Sequence, residues 1–531
     1  MRHSTWERFD HDEGESIAPL GTPRRPSSRV AKFADWIIGG AIVLCITTLL
    51  YYVYYYSWTH QRYFTSPVGP VLYYILPAVL AGLLLVSLRL EPPSRINLSL
   101  LLVSIAVSIY AVELLLAFSS FLLFETTVKK AEIAKKATIA KEFGVDFDTR
   151  SKLEVIVDLA KQNIYAVPNI SPLMLLKQQV DGTRKSELTI NGIETLPLGG
   201  IANRTTVFCN ENGEYVIYES DEHGFHNPKG IWGARHIDIA AIGDSFTEGF
   251  CVPSEKNFVA LIRERDPVTL NLGKSGDGPL AELATLEEYL PSTKPRVVLW
   301  FYFGGNDLGD LKTEEASPLL MSYLRDNFTQ GLLNQQVSID QALTAYVEMR
   351  KDAGTLNSLE TSRDAARSLR TELEASAKLA HLRLHLGLNY GSSREDQNVD
   401  PDLDLNLFGK IMSQAKALVG TWGSTLYFVD LPAWEDYINL EASNLEASNL
   451  EASNEVANNE LKRTHDLVLR TRDLVPALVR ILGIPVIDIH PAFEVHGDPL
   501  ALFIFRQRRH YTEESNRLVA EEILRSISLS N

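Results

Sequence analysis

The chain carries, at residues 237–249, the segment Ile237-Asp-Ile-Ala-Ala-Ile-Gly-Asp-Ser-Phe-Thr-Glu-Gly249. A short apolar run ends there at Gly243-Asp244-Ser245, and a helix-like pattern follows. A strand that stops at a turn of small residues places the next side chain at the carboxyl edge of a sheet, where open α/β proteins bind their ligands. Ser245 is therefore a candidate nucleophile, although Gly-Asp-Ser alone is common in ordinary turns.

From residue 236 onward, short apolar runs alternate with helical patterns. Apolar runs separated by helices predict parallel strands that are covered on both faces. We therefore predict a three-layer α/β/α sandwich of about five parallel strands, similar to a flavodoxin-like sheet, over residues 236–531. The predicted strands are 237–242, 268–272, 296–303, 425–429 and 485–489.

Three other regions interrupt or precede this pattern. A polar, helix-forming insertion occupies about 311–404, and Leu-Glu-Ala-Ser-Asn occurs three times within 440–454, which is a low-complexity tract. Residues 126–235 are predicted to form a connector and a small lead-in unit. Its turn-rich segment 220–228 carries two histidines, for which a polar loop is favoured over a metal site because no third histidine lies at useful spacing.

The N-terminal region predicts a membrane anchor. After a tail at 1–33, residues 34–125 contain three segments that are long enough to cross a bilayer as helices, namely 36–59, 63–88 and 96–124. The only charged residue within them is Glu113, which is either functional or, as we favour, packed against polar partners. Basic residues in the tail and in the second loop predict a cytoplasmic N-terminus and an extracytoplasmic C-terminal domain, although four lysines at 129–136 oppose this orientation.

Composition excludes several functions. The formal net charge of −16 argues against nucleic-acid binding, because no basic stripe is available to neutralise phosphates. The three cysteines lack zinc spacing and allow at most one bridge, Cys209–Cys251, which the sequence leaves open. Residues 273–278 match neither a P-loop nor a dinucleotide-binding fingerprint. We therefore predict no cofactor and no metal.

Four sites along the α/β domain share one chemistry. They are Gly243-Asp244-Ser245, the glycine-rich segment around Gly276, Gly304-Gly305-Asn306-Asp307, and His510 ahead of the last helix. Acyl transfer through a serine needs a hydroxyl that attacks, a histidine that accepts its proton, and N–H donors that bind the oxyanion. The order and placement of the four sites match that requirement.

These residues resemble the SGNH subgroup of the GDSL esterase/lipase family over residues 236–531. The resemblance implies an SGNH-like fold, with Ser245 as nucleophile and His510 as general base. It also implies an oxyanion hole formed by the backbone amides of Ser245 and Gly276 and by the side-chain amide of Asn306. In one respect the sequence departs from the pattern: Gln507 occupies the position three residues before the histidine, where the family usually has the aspartate of the triad.

Two interpretations of Gln507 follow. A carboxylate from elsewhere could orient His510, with Asp498 or Asp488 the nearest candidates in sequence, and Asp498 is our choice. Alternatively, the site is a Ser-His dyad of reduced activity, or an inactive one.

The sequence thus predicts a membrane-anchored serine esterase or acyl-ester hydrolase/transferase that acts outside the cytoplasm. Its expected substrate is an acylated carbohydrate or small ester, with O-acyl groups of envelope or secreted polysaccharide preferred because the anchor holds the domain beside such polymers. A transferase would need a separate acyl-donor protein in the membrane. The alternative is a catalytically weak SGNH-fold protein that binds glycans or scaffolds an envelope complex.

Overall fold

A computed structural model describes residues 28–54, 71–123, 129–179, 181–325, 328–352, 376, 379, 382, 401–438 and 455–529. The chain divides into two compact units, one comprising Met1–Phe124 with Leu369–Ser393 and the other Glu125–Ser368 with Arg394–Asn531. Residues 1–27 of the predicted N-terminal tail, the repeat at 440–454 and most of the insertion beyond residue 352 lie outside the described residues, whereas residues 28–33 of the tail already belong to the first helix.

The N-terminal unit contains the helices Ser28–Tyr52 and Pro92–Leu123, and between them a π-helical turn, Val71–Ile75, that continues into the helix Leu76–Ser87. Two stretches, Arg29–Tyr52 and Pro92–Ala117, are long and apolar enough to cross a membrane, with mean hydropathies of 2.0 and 2.4. The second predicted span, 63–88, contains the π-helical turn Val71–Ile75 and the helix Leu76–Ser87. Large apolar side chains are exposed along all three, which is unusual for a protein surface in water.

Glu113 lies within this unit and its side chain is buried. Its carboxylate accepts a hydrogen bond of 2.7 Å from the backbone N–H of Leu382, a residue of the predicted insertion. Leu382 therefore contacts the N-terminal unit, to which it belongs.

The second unit is built on a five-stranded parallel sheet. Its strands are β1 (Ile239–Ile242), β2 (Thr269–Asn271), β3 (Val297–Phe303), β4 (Thr425–Leu431) and β5 (Val486–Asp488). Their spatial order is β2-β1-β3-β4-β5, and every neighbouring pair is parallel. The five predicted strands, the flavodoxin-like order and the α/β class are confirmed. The order reverses between β1 and β3, and this switch point is where such sheets bind ligands.

Both faces of the sheet are covered, as the alternation of side chains along each strand requires. In β3, Trp300 packs with the helices Pro279–Tyr289 and Pro401–Thr421, whereas Phe301 packs with Phe258–Arg263 and the C-terminal helix, Glu513–Leu529, on the other face. The other helices of eight or more residues described in this unit are Lys129–Glu142, Lys152–Lys161, Asp307–Glu315, Gln336–Asp352 and Glu455–Ile481.

The lead-in region shares the core of the sheet. It contains a three-stranded sheet of Ala166–Pro168, Thr205–Val207 and Ile217–Glu219, together with two two-stranded hairpins, Leu176–Gln178 with Arg184–Ser186 and Thr189–Ile190 with Ile193–Glu194. Its apolar side chains, including Ile170 and Leu198, lie in the same buried cluster as β1 and β2. The predicted boundary near residue 235 therefore does not separate two cores.

Candidate active site

Ser245 begins a one-turn helix, Ser245–Glu248, immediately after β1 and the turn at Gly243-Asp244. Asp244 caps this helix by accepting a hydrogen bond of 2.9 Å from the backbone N–H of Phe246. The turn requires glycine at 243, because a Cβ there would overlap the Thr247 hydroxyl and come within 3.0 Å of the Phe301 Cβ. The Ser245 side chain is thereby held at the carboxyl edge of the sheet.

His510 lies three residues before the C-terminal helix begins at Glu513, and its Nε2 is 2.8 Å from the Ser245 Oγ. The aromatic rings of Phe246 and Phe250 contact the imidazole, with centroid separations of 4.7 and 4.3 Å. The structure therefore brings together the predicted nucleophile and base across 265 residues of sequence.

The carboxylate that contacts His510 is Glu211. Its Oε2 accepts hydrogen bonds of 2.9 Å from the His510 Nδ1 and of 3.3 Å from the His510 backbone N–H. The expectation that Asp498 would fill this place is wrong, because Asp498 is paired with Arg506. Asp488 is also excluded, since it bonds His490 at 2.8 Å.

Sequence reasoning missed Glu211 because the carboxylates it favoured, Asp498 and Asp488, are those nearest to His510 in sequence. Glu211 lies 299 residues away, on a hairpin turn in the lead-in region. Its only local signal is its position two residues after Cys209. Gln507 donates no side-chain hydrogen bond to His510 among the described residues, and its backbone carbonyl accepts from the Arg509 N–H at 2.7 Å.

The electrostatics of this contact favour an ionised Glu211. Burial alone would raise the pKa of Glu211, but the charge of a protonated His510 and its hydrogen bonds outweigh burial and lower the pKa to about 2. Both side chains are 20% exposed. Glu211 is therefore a carboxylate at neutral pH, and it can balance a positive charge that develops on the imidazole.

The predicted oxyanion donors lie on two neighbouring turns. Gly276 has a φ of +80°, which favours glycine. Within the described part of the chain, the backbone N–H groups of Ser245 and Gly276 have no hydrogen-bond acceptor. Both are therefore available to an incoming oxygen.

The turn that carries Gly276 is held by a buried ion pair. Glu248 accepts from the Lys274 Nζ at 2.8 Å, and both side chains are fully buried. The other oxygen of Glu248 accepts from the Ser275 backbone N–H at 2.7 Å. Because Glu248 ends the helix that starts at Ser245, this pair fixes the Gly276 turn relative to Ser245.

Asn306 follows β3, and its side-chain amide lies between two carboxylates. Its Nδ2 donates to Asp310 at 2.7 Å and to Asp244 at 3.3 Å. Its Oδ1 is buried without a hydrogen-bond partner in the described part of the chain. The amide is therefore placed near the nucleophile turn with its donors already engaged, the contact with Asp244 being the longer one.

The histidine-containing loop of the lead-in is a structural support. Asn227 bonds the backbone of Asn271 in both directions, at 2.7 and 2.8 Å. His226 is buried, and its two ring nitrogens contact the Glu248 carbonyl and the Ser254 hydroxyl at 2.9 and 2.8 Å. The arrangement agrees with the polar-loop interpretation of this segment.

The arginines around His510 are also engaged within the protein. Arg506 pairs with Asp498, and Arg508 pairs with Glu435. Arg509 donates to the Glu211 backbone carbonyl at 3.2 Å. These contacts favour a structural role over the binding of an acidic substrate.

One cluster in the described residues places carboxylate and imidazole atoms close enough for a metal ion, at the carboxyl ends of β4 and β5. Asp430, Asp488 and His490 each contribute one such atom, all within 4.8 Å. Burial opposes protonation of His490, but hydrogen bonds with Asp436 and Asp488 outweigh it and raise the pKa of His490 to about 9. A protonated imidazole therefore supplies the positive charge that these carboxylates need.

A cavity of about 510 Å³ lies beside the site rather than at the nucleophile. It is mainly apolar, and its lining includes Phe143, Val252, Phe503 and Phe505. Neither Ser245 nor His510 lines it, so it does not by itself define an acyl pocket.

Comparison with known proteins finds similarity to solved structures. No protein-family model matches the chain, and no curated protein matches it in sequence. Among solved structures, the chain is similar to the acetyl xylan esterase AlAXEase, with 13% identity, a TM-score of 0.27, and coverage of 55% of this chain and 100% of that one.

Two other similar structures have identities of 13% and 12%. A G-D-S-L family protein from Desulfitobacterium hafniense has a TM-score of 0.25, with coverage of 55% of this chain and 99% of that one. An acetyl xylan esterase from Geobacillus stearothermophilus has a TM-score of 0.24, with coverage of 55% and 97%.

Proposed function

We propose that the chain is a serine esterase of the SGNH type, an acyl-ester hydrolase or transferase anchored in a membrane. The observation that carries this proposal is the line of contacts from Glu211 through His510 to Ser245, with distances of 2.9 and 2.8 Å. A carboxylate, an imidazole and a hydroxyl in this order form the triad that activates a serine for acyl transfer.

In the proposed reaction, the Ser245 Oγ attacks the ester carbonyl while the His510 Nε2 accepts its proton. Glu211 stabilises the resulting imidazolium through Nδ1. The backbone amides of Ser245 and Gly276 bind the oxyanion, and His510 then returns the proton to the departing alcohol.

Asn306 is proposed as the third donor to the oxyanion. The substrate oxygen would take the amide hydrogen that now makes the longer contact, with Asp244. Removing one oxyanion donor costs about 3 kcal/mol of transition-state stabilisation in enzymes of this kind. Water or a sugar hydroxyl would release the acyl group from Ser245, giving hydrolysis or transfer respectively.

The location of the reaction is proposed to be outside the cytoplasm. The two apolar helices support an anchor, and the basic residues of the N-terminal tail support a cytoplasmic N-terminus. The Cys209–Cys251 disulfide supports an oxidising compartment for the C-terminal unit. Next to such a membrane, O-acylated envelope or secreted polysaccharide is the proposed substrate class, and a transferase would take its acyl group from a separate membrane protein.

The test uses the full chain in detergent micelles with p-nitrophenyl acetate as substrate. Ser245→Ala should abolish turnover and labelling by a fluorophosphonate probe, since both need the activated hydroxyl. Equal turnover by Ser245→Ala and the unmodified protein would reject Ser245 as nucleophile. Absence of labelling in both would favour the glycan-binding or scaffold alternative, which was suggested by the glutamine at position 507.

A further inference from the structure

The proposed triad takes its carboxylate from a hairpin that lies outside the parallel sheet. The strands Thr205–Val207 and Ile217–Glu219 are antiparallel, and the ladder extends toward the tip through a bond of 2.9 Å from the Val216 N–H to the Cys209 carbonyl. Glu211 stands at the tip of this hairpin. Its position relative to His510 therefore depends on how firmly the tip is held against the α/β domain.

A disulfide joins this hairpin to the turn behind the nucleophile. Cys209 and Cys251 are bonded, with their Cα atoms 5.4 Å apart. The turn before Cys251 is fastened to the nucleophile, because the backbone N–H groups of Gly249 and Phe250 both donate to the Ser245 carbonyl, at 3.1 and 3.0 Å.

The other direct contacts of the tip that the structure shows are non-covalent. The Asn210 side chain donates to the Asp148 carbonyl at 2.9 Å, and Arg509 donates to the Glu211 carbonyl at 3.2 Å. The disulfide is thus the one covalent link between the carboxylate-bearing hairpin and the nucleophile turn among the described residues. Cys209 is also close to the carboxylate, with a single residue between it and Glu211.

We propose that the Cys209–Cys251 disulfide is a positioning element for catalysis, which holds Glu211 against His510 so that full esterase activity requires the oxidised protein. This inference rests on the proposed function. Groups that act in a triad must be held in a narrow range of geometry, and a displacement of about 1 Å costs on the order of 100-fold in rate. A hairpin without its covalent link would sample such displacements, whereas the Ser245–His510 contact would remain.

The test compares Cys209→Ala with the unmodified protein in esterase assays, with thermal unfolding recorded for each. The variant should lower kcat by about 10- to 100-fold while KM stays within about twofold, because orientation of His510 and not substrate binding is affected. Cys45→Ala is the matched control, since Cys45 is the free cysteine and lies in the N-terminal helix.

Combination with Glu211→Gln separates positioning from general stabilisation. If the disulfide acts through Glu211, Cys209→Ala combined with Glu211→Gln should be no slower than Glu211→Gln alone. A disulfide that only stabilises the fold would lower the rate by the same factor in both backgrounds, and that result would overturn the proposal. So would unchanged kcat in Cys209→Ala.

Reduction of the unmodified protein provides a second route if Cys209→Ala does not fold. Dithiothreitol gives two electrons and two protons to the cystine and becomes a cyclic disulfide, and the two new thiols are then alkylated. Below the unfolding temperature, kcat should fall as in the variant, and an undiminished kcat would refute positioning. Failure of the proposed function itself has a different signature, because the oxidised protein would then be no more active than Ser245→Ala.

Discussion

Replacing Glu211 by glutamine is the sharpest perturbation of the proposed triad. The amide keeps the shape of the side chain but removes the charge that faces the His510 Nδ1 at 2.9 Å. With an effective dielectric constant of about 20, two unit charges at this distance attract by about 6 kcal/mol, which is an upper bound because both side chains are partly exposed. Loss of the corresponding charge in a serine protease triad lowers kcat about 10⁴-fold, or about 5 kcal/mol.

We therefore expect Glu211→Gln to lower kcat by about 10³- to 10⁴-fold with little change in KM. The assay is the turnover of p-nitrophenyl acetate under saturating conditions. Glu214→Gln is the matched control, because Glu214 is an exposed glutamate on the same hairpin.

Asp498→Asn provides the opposing test. Asp498 is paired with Arg506 and does not reach the imidazole, so its neutralisation should leave kcat within about twofold. The reasoning from the geometry would be refuted if Asp498→Asn lost activity while Glu211→Gln kept it. Loss of activity in Glu214→Gln would indicate that the hairpin, and not the carboxylate, had been disturbed.

Three other predictions concern stability. Because the disulfide closes a sequence separation of 42 residues, Cys209→Ala should lower the free energy of unfolding by about 4 kcal/mol in chemical denaturation. His490→Gln should cost about 3 kcal/mol below pH 6.5, and the difference should vanish as the pH rises through about 9, because the raised pKa of His490 stabilises only its protonated form. Lys274→Met should cost about 3–5 kcal/mol, because it leaves the Glu248 carboxylate buried without its partner, whereas Lys274→Met combined with Glu248→Gln should recover part of the loss.

Each of these has a result that contradicts it. Equal denaturation midpoints with and without Cys209 would show that the two cysteines are not joined. A cost of His490→Gln that is the same at pH 6 and pH 10 would mean that the imidazole is neutral in the folded protein. If Lys274→Met combined with Glu248→Gln lowers the free energy of unfolding further than Lys274→Met alone, the two residues do not act as a pair.

The carboxyl edge of the sheet could be predicted because its signals are local. Each strand is a short apolar run that ends in glycine or a small polar residue, and β1 and β3 end within a few residues of Ser245 and Asn306. Parallel strands bring their carboxyl ends to one edge, so residues that are far apart in sequence could be expected to converge there. The placement of Ser245 and Asn306 at one edge follows from that rule, whereas His510 precedes the last helix and was expected there from the resemblance.

Glu211 could not be predicted by the same rule, since it comes from a hairpin whose docking depends on tertiary packing. No sequence spacing connects it with His510. The position three residues before the histidine, where the family usually has its aspartate, holds Gln507 and gives no indication of Glu211. The orientation of Asn306 was also beyond the sequence, although Asp310 stands four residues later, on the same side of a helix. In both cases the sequence gives the type of side chain, but it does not show which group that side chain contacts.

The site also explains why the lead-in region cannot be treated as a simple connector between the N-terminal helices and the parallel sheet. It supplies the carboxylate that contacts His510, the cysteine that is bonded to Cys251, and apolar side chains to the core beneath β1 and β2. A glutamine at 507 would leave the imidazole without a charged partner if the sheet domain acted alone. Because Glu211 takes that role from the hairpin, the smallest part of the chain that contains the whole proposed triad begins upstream of the sheet.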